Sequence, residues 1–329
     1  MDTTGHDFIW ELDTLGFYGE LNDVAALAPD NVWVVGEIRT EEPDTVHNLP
    51  YTVYNAAHWD GYEWALNKLP AVTYSGSISQ MPLTSIYAIS PEGIWCSAYA
   101  GSYVYWNGQE WASEWVPEMN GVINAIWGTS SSDVYFVGGN GSIVHYDGSS
   151  FTIMDSPTSQ DLNGIVGVVN PEANAVRLWA YGWTDYPHRG LLLEFDENTW
   201  NIVWNETQPF YDDHNYLEPT VWATNDYVFI YTGGRDDGMI ARHKIHDFND
   251  YEILYHTING FIRDIHGNNK NDIFFVGDFN NVMHYNGSTF HTYPELAGNS
   301  RFLAVQQIGD YVFIIHSSSA VVIRGIRVP

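Results

Sequence analysis

The chain has 329 residues, enough to bury a sizeable core in one large domain or two ordinary ones. Asp and Glu outnumber Lys and Arg by 41 to 12, and a net charge of −29 repels phosphate backbones and anionic lipid, which argues against a nucleic-acid or membrane-surface partner. The single cysteine, Cys96, leaves no internal disulfide, no apolar run reaches membrane-spanning length, and the opening MDTTGHDF has neither the basic nor the apolar region of a signal peptide.

The first predicted element is an isolated strand, FIWELDTL (8–15). A four-part unit follows. It has a short inner strand A (VAALAP, 24–29), a buried run B (NVWVVG, 31–36), and a strand C that enters a hairpin (WDGYEW, 59–64) and leaves as an outer strand D (WALNKL, 64–69). Strand A returns as SIYAIS (85–90), INAIWG (123–128), NGIVGV (163–168), TVWATN (220–225), IRDIHG (262–267) and LAVQQIG (303–309). Strand B returns as GIWCSA (93–98), DVYFVGG (133–139), VRLWAYG (176–182), DYVFIYTGG (226–234), DIFFVG (272–277) and DYVFII (310–315). The hairpin returns as WNGQEW (106–111), YDGSSF (146–151), FDENTW (195–200), HDFNDY (246–251) and YNGSTF (285–290). Asp-Gly and Asn-Gly supply the positive φ angles of a tight turn, and the flanking aromatics pair across it.

Strands A and B therefore occur seven times and the hairpin six. The chain ends after AVVIRGIRV (320–328), the third strand of the seventh unit, and FIWELDTL resembles the missing fourth. Four antiparallel strands per 40–50 residues predict an all-β fold: one seven-bladed β-propeller domain over 1–329, its last blade closed by the N-terminal strand. The blades are expected at about 17–72, 80–118, 119–157, 158–208, 214–257, 258–295 and 299–329 plus 6–16.

The segment INAIWGTSSSDVYFVGGNGSIVHYDGSSF (123–151) resembles the repeats of secreted bacterial propellers grouped as kelch-like or BNR-like. The pairs Gly138-Gly139 and Gly233-Gly234 are similar to the kelch double glycine, which the other blades lack, and the complete Asp-box of sialidase-type propellers is absent. The resemblance implies a secreted or cell-surface bacterial protein. It leaves function open, because propellers host enzymes, lectins and scaffolds alike.

Ligand sites of propellers use the face of the B–C and D–A loops. The long segments there are 37–51, 182–190, 205–219 and 233–238. In so acidic a chain Arg39, Arg189, Arg235, Arg263 and Arg301 could hold an anionic group, or each could pair with a nearby carboxylate. Trp183 and Tyr186 could stack on a sugar face or pack within their own loop, and Tyr211 is a further ligand-binding candidate. His188, Tyr186 and His214 are the acid–base candidates. With Arg189 and Arg235 they supply the residue types of a uronate lyase, whereas the surplus of carboxylates gives little signal for a hydrolase. No cofactor is expected. Asp212, Asp213 and His214 could join a Ca²⁺ or Zn²⁺ site, with Asp236 as a further candidate ligand and Ca²⁺ the ion expected if one binds. His58, His145 and His284 occupy one place in three blades, just before the hairpin aromatic, and read as structural. The function expected is a monomeric binding module for a carbohydrate or protein ligand at the loop-rich mouth. A polysaccharide lyase, a glycoside hydrolase and a scaffold are the alternatives.

Overall fold

The computed structural model describes residues 4–328 apart from 74, 117, 118, 120, 171–174, 186, 187, 197, 206–217, 234–237, 246, 259 and 297–300. Each repeat forms one four-stranded antiparallel sheet in the order A-B-C-D, and the seven sheets make a seven-bladed β-propeller. Blades 1 to 6 span 18–67, 83–115, 123–153, 164–205, 220–258 and 262–292. Blade 7 joins Phe302–Ile308, Tyr311–His316 and Val321–Arg327 to the N-terminal strand Phe8–Thr14, which pairs antiparallel with Val321–Arg327 from Phe8 opposite Arg327 to Thr14 opposite Val321. A small hairpin, Ala71–Val72 with Ile78–Ser79, links blades 1 and 2. The chain divides into two compact units: Met1–Val116 with Arg263–Pro329, which carries blades 6, 7, 1 and 2, and Pro117–Ile262, which carries blades 3, 4 and 5.

The core lies between neighbouring sheets. Phe313 and Val322 of blade 7 pack with Leu21, Val34 and Trp59 of blade 1. Val35 and Ala56 of blade 1 pack with Ile86 and Cys96 of blade 2. In the other unit Trp179 and Leu192 of blade 4 meet Val221 and Ile230 of blade 5. Strand B is buried on both of its faces and is apolar accordingly: Gly93–Ala98 and Asp272–Gly277 are buried at every position.

The hairpin aromatics are register partners in five blades. Trp59 and Trp64, Trp106 and Trp111, Tyr146 and Phe151, Phe195 and Trp200, and Tyr285 and Phe290 have ring centroids 4.7–5.5 Å apart. Blade 5 differs: His243 stands opposite Tyr251 and stacks on it at 5.2 Å, while His246, the expected partner, lies outside the described residues. The turn chemistry also differs from expectation. Only the glycine takes a positive φ (Gly61 95°, Gly108 89°, Gly148 90°, Gly287 88°). The preceding Asp or Asn instead accepts two backbone N–H groups, as Asp60 does from Tyr62 and Glu63 and Asp147 from Ser149 and Ser150. These bonds hold the carboxyls of Asp60, Asp147 and Asp196 below the usual carboxylate range.

The three repeat histidines share one arrangement. His58 stacks on Trp33 (4.4 Å) and meets Asn31 Oδ1 at 2.9 Å; His145 stacks on Tyr135 (4.4 Å) and meets Asp133 Oδ1 at 2.7 Å. His284 stacks on Phe274 (4.7 Å) and meets Asp272 Oδ1 at 2.8 Å. Each ties strand C to the first residue of strand B while stacking on the strand-B aromatic two positions further on.

Closure of blade 7 is locked on both faces of the N-terminal strand. On one, Trp10 packs on Tyr293 (4.9 Å) and Phe8 on Phe274 (5.2 Å) of blade 6. On the other, Arg324 grips Asp13 with Nε and Nη2, pairs with Glu11 at 2.8 Å and lies 4.2 Å over Trp59 of blade 1. Trp64 Nε1 donates to Asp13 Oδ2 at 2.8 Å. Replacing Asp13 with Ala leaves a half-buried guanidinium with one carboxylate and an indole N–H with no acceptor. Asp13→Ala is expected to lower the unfolding free energy by about 3 kcal/mol. Urea denaturation should show a lower midpoint at unchanged slope.

Candidate functional site

Strand order dictates that strand A starts and strand B ends on the same face, with the B–C and D–A connections. In the unit of blades 6, 7, 1 and 2 this face carries backbone hydrogen bonds that tie down its connections within blades 7 and 1. Ser317 N donates to Arg301 O (3.0 Å), Leu15 N to Ala320 O (2.7 Å) and Phe17 N to Arg39 O (3.0 Å).

Three of the arginines singled out from the sequence stand on this face, and each has a carboxylate partner. Arg39 Nε donates to Glu37 Oε1 at 2.8 Å, and its guanidinium lies 4.9 Å from the ring centres of both Tyr18 and Tyr51. Arg263 clasps Asp278 through Nε (3.1 Å) and Nη2 (2.9 Å). Arg301 meets the same carboxylate through Nε at 2.9 Å while its side chain stays 54 % exposed. Arg263 and Arg301 are thus brought together, and buried Asp278 orients both.

The other predicted residues are placed differently. Segment 182–190 is an extended hairpin, with Trp183 opposite Gly190, Thr184 opposite Arg189 and Asp185 opposite His188. A composition rich in Gly, Pro and charge suggested a loop there, but cross-strand pairing continues almost to its tip. Trp183 is part-buried and stacks with Tyr181 of its own strand (6.4 Å), and its backbone N–H donates to Asn163. Tyr186, Tyr211, Asp212, Asp213, His214, Arg235 and Asp236 lie outside the described residues. Among the described residues, no three His, Cys, Asp or Glu side chains converge to hold a metal ion.

Two kinds of residue on the inner strands and the rim were missed. The first is a pair of buried aspartates. Asp23 Oδ2 accepts from Ser85 Oγ (2.9 Å) and Ile86 N (2.8 Å) of blade 2, and Asp264 Oδ2 accepts from Val305 N (2.8 Å) of blade 7. Each satisfies edge N–H groups of the next inner strand. Burial pushes Asp23 up to about 6 and Asp264 up to about 7, the latter also through the Asp23 charge. Their matching places in NDVAAL and RDIHG were the available signal.

The second kind is a set of exposed aromatics: Phe17, Tyr18, Tyr99 and Phe279. Phe279 occupies the tip of the B–C turn of blade 6 at φ 54°, ψ 34°, and is 60 % exposed. The same turn in blade 3 places Asn140 at φ 56°, ψ 32°. Asn tolerates the left-handed region, whereas a bulky aromatic there is strained. No residue pattern announces this, since strand B ends in Gly277 much as blade 3 ends in Gly138.

The fold defines a class, the seven-bladed propellers. Among solved structures, the chain is similar to YCF48 bound to a D1 peptide, at 15% identity and a TM-score of 0.70 over all of both chains. It is similar to a catalytically inactive virginiamycin B lyase from Staphylococcus aureus with quinupristin, at 12% identity and a TM-score of 0.72 over 98% of this chain and 100% of that one. It is similar to the WD40 propeller domain of Doa1, at 14% identity and a TM-score of 0.61 over 96% of each. No family model and no curated protein matches the chain.

Exchanging Phe279 for Gly removes the left-handed strain at the loss of a side chain that is mostly exposed. Phe279→Gly is expected to raise the unfolding free energy by about 1 kcal/mol, against the usual sign for loss of an aromatic side chain. Equilibrium denaturation of the two proteins checks it.

Proposed function

We propose that the chain is a non-catalytic protein-binding propeller that captures a loop or terminal segment of its partner on the rim of blades 6, 7, 1 and 2. Phe279 and Arg301 form the centre of the contact. The observation that carries this reading is Phe279: a bulky apolar ring held in a strained backbone conformation and given to solvent. Strain kept without a packing return is typical of residues selected for contact with a ligand. Arg301 beside it offers an exposed guanidinium already aimed by Asp278. Exposed Phe17, Tyr18 and Tyr99 extend an aromatic surface of the kind that dominates protein interfaces. Similarity to YCF48, seen with a D1 peptide, supports a peptide or protein ligand over a sugar.

A second reading, a lyase, draws on the similarity to virginiamycin B lyase and on His188 and Arg189, which the hairpin 182–190 carries on neighbouring positions of one strand. It differs in requiring turnover.

Selection of a phage-displayed random peptide library against the purified chain, alongside a glycan array and a polysaccharide product assay, separates these. Peptides should be recovered, and Phe279→Ala and Arg301→Ala should each weaken the selected peptide about tenfold or more. Ile153→Ala, on an outer strand, should leave binding unchanged. Peptides indifferent to both rim substitutions, glycan binding alone, or unsaturated uronate product would each count against the proposal.

A further inference from the structure

We propose that His6 and His284 form an acid-operated latch that docks the N-terminal strand on blade 6 at neutral pH and releases it in acid. Nδ1 of His6 and Nδ1 of His284 face each other at 2.8 Å. His284 is fully buried, and its Nε2 meets Asp272 Oδ1 at 2.8 Å. His6 Nε2 meets Thr289 Oγ1 at 3.0 Å. The result is an unbroken chain of polar contacts from a buried carboxylate, through two imidazoles, to a surface hydroxyl.

Proton counting on this chain is strict. Asp272 is an acceptor: burial alone would raise its carboxyl, but hydrogen bonds from His284, Asn268 and Arg327 hold it well below the usual range. His284 Nε2 therefore carries a proton. One further proton lies between the two Nδ1 atoms, donated by one ring to the bare nitrogen of the other. Adding a proton to the pair keeps that bond, with His6 Nε2–H then donating to Thr289 Oγ1. Adding a second places N–H against N–H at a separation that only a hydrogen bond allows.

The surroundings oppose even the first proton. His291 stacks on His6 (5.4 Å), and Arg327 sends Nη2 to Asp272 (2.6 Å) and Nε to Asp310 (3.2 Å) while its guanidinium sits 4.7 Å over Phe8. Asp7, Glu295 and Tyr293 are the other titratable groups facing the cluster, and Asp7 alone pulls His6 upward. Burial first, then His284, His291 and Arg327, hold His6 down to about 4, and burial likewise lowers His284. A docked histidine with a lowered value binds fewer protons than an undocked one. The latch is therefore fully stable above about pH 6.5 and weakens as pH falls toward 4, by up to tenfold per pH unit for each histidine.

The latch sits where release matters. Tyr293 Oη donates to His6 O (2.8 Å), Arg327 Nη1 donates to Gly5 O, and Val328 N donates to Asp7 O (2.9 Å). All three anchor the residues just before Phe8–Thr14. Losing that strand bares the edge of Val321–Arg327, a template for pairing with another strand.

The test is hydrogen exchange of the full chain from pH 7.5 to 4, corrected for intrinsic exchange rates. The opening constant of residues 4–14 and 321–328 should rise at least tenfold between pH 6.5 and 5, while Gly93–Ala98 and Asp133–Gly138 keep their protection. His6→Gln, which cannot take a proton, should flatten that rise. Should His6→Gln not fold, His291→Gln decides: with one opposing cation gone, the acid opening should move to lower pH. An unchanged pH response in the variant, no selective opening in the wild type, or loss of protection in all blades together would overturn the latch.

Discussion

A four-stranded sheet that is apolar on both faces has no stability alone, and this constraint governs the whole molecule. Within each unit, neighbouring blades bury their facing sheets against one another, strand B is a continuous apolar run, and the core is a series of inter-sheet layers. A chain that starts with blade 1 and ends three strands into blade 7 would leave that last sheet without its outer strand. Phe8–Thr14 supplies it, with aromatic residues toward blade 6 and carboxylates toward blade 1.

The acidic composition takes on a structural meaning in this setting. Asp60, Asp147 and Asp196 cap backbone N–H groups in the outer hairpins, and Asp23 and Asp264 do so along the inner strands. Asp133 and Asp272 brace the stacked histidines. A fold made of seven sheets has many strand ends and edges, and a short acceptor side chain is the simplest way to satisfy them. Part of the negative charge is thus a consequence of the number of turns, as well as a source of solubility.

Against this background of satisfied groups, Phe279 stands apart. Its ring is given mostly to solvent and its backbone is in a region that favours Asn or Gly. The rim around it combines aromatic surface with guanidiniums fixed by Asp278 and Glu37, which would lower the entropy lost on docking the proposed partner. The histidine cluster lies elsewhere in blade 6, away from the B–C turn, at the A–B and C–D end of the sheet. The proposed contact surface and the proposed latch therefore occupy opposite ends of the same blade.

The repeat, the strand order, the closing role of FIWELDTL and the hairpin aromatics of every blade but the fifth were legible in the amino-acid sequence, because each follows from local turn chemistry and a period of 40–50 residues. The structural standing of His58, His145 and His284 was legible too, since equal places in a repeat meet equal surroundings. Segment 182–190 was not, because its composition is that of a loop while its hydrogen bonds are those of a hairpin. Sequence could collect the arginines of one face but could not say that Arg263 and Arg301 share Asp278, or that Arg39 lies between two tyrosine rings. Nor could it bring His6 against His284 across 278 positions of the chain. Strands and turns are decided by neighbours along the chain. Partners of charged and aromatic side chains are decided by which blade folds beside which, and only the tertiary structure supplies that.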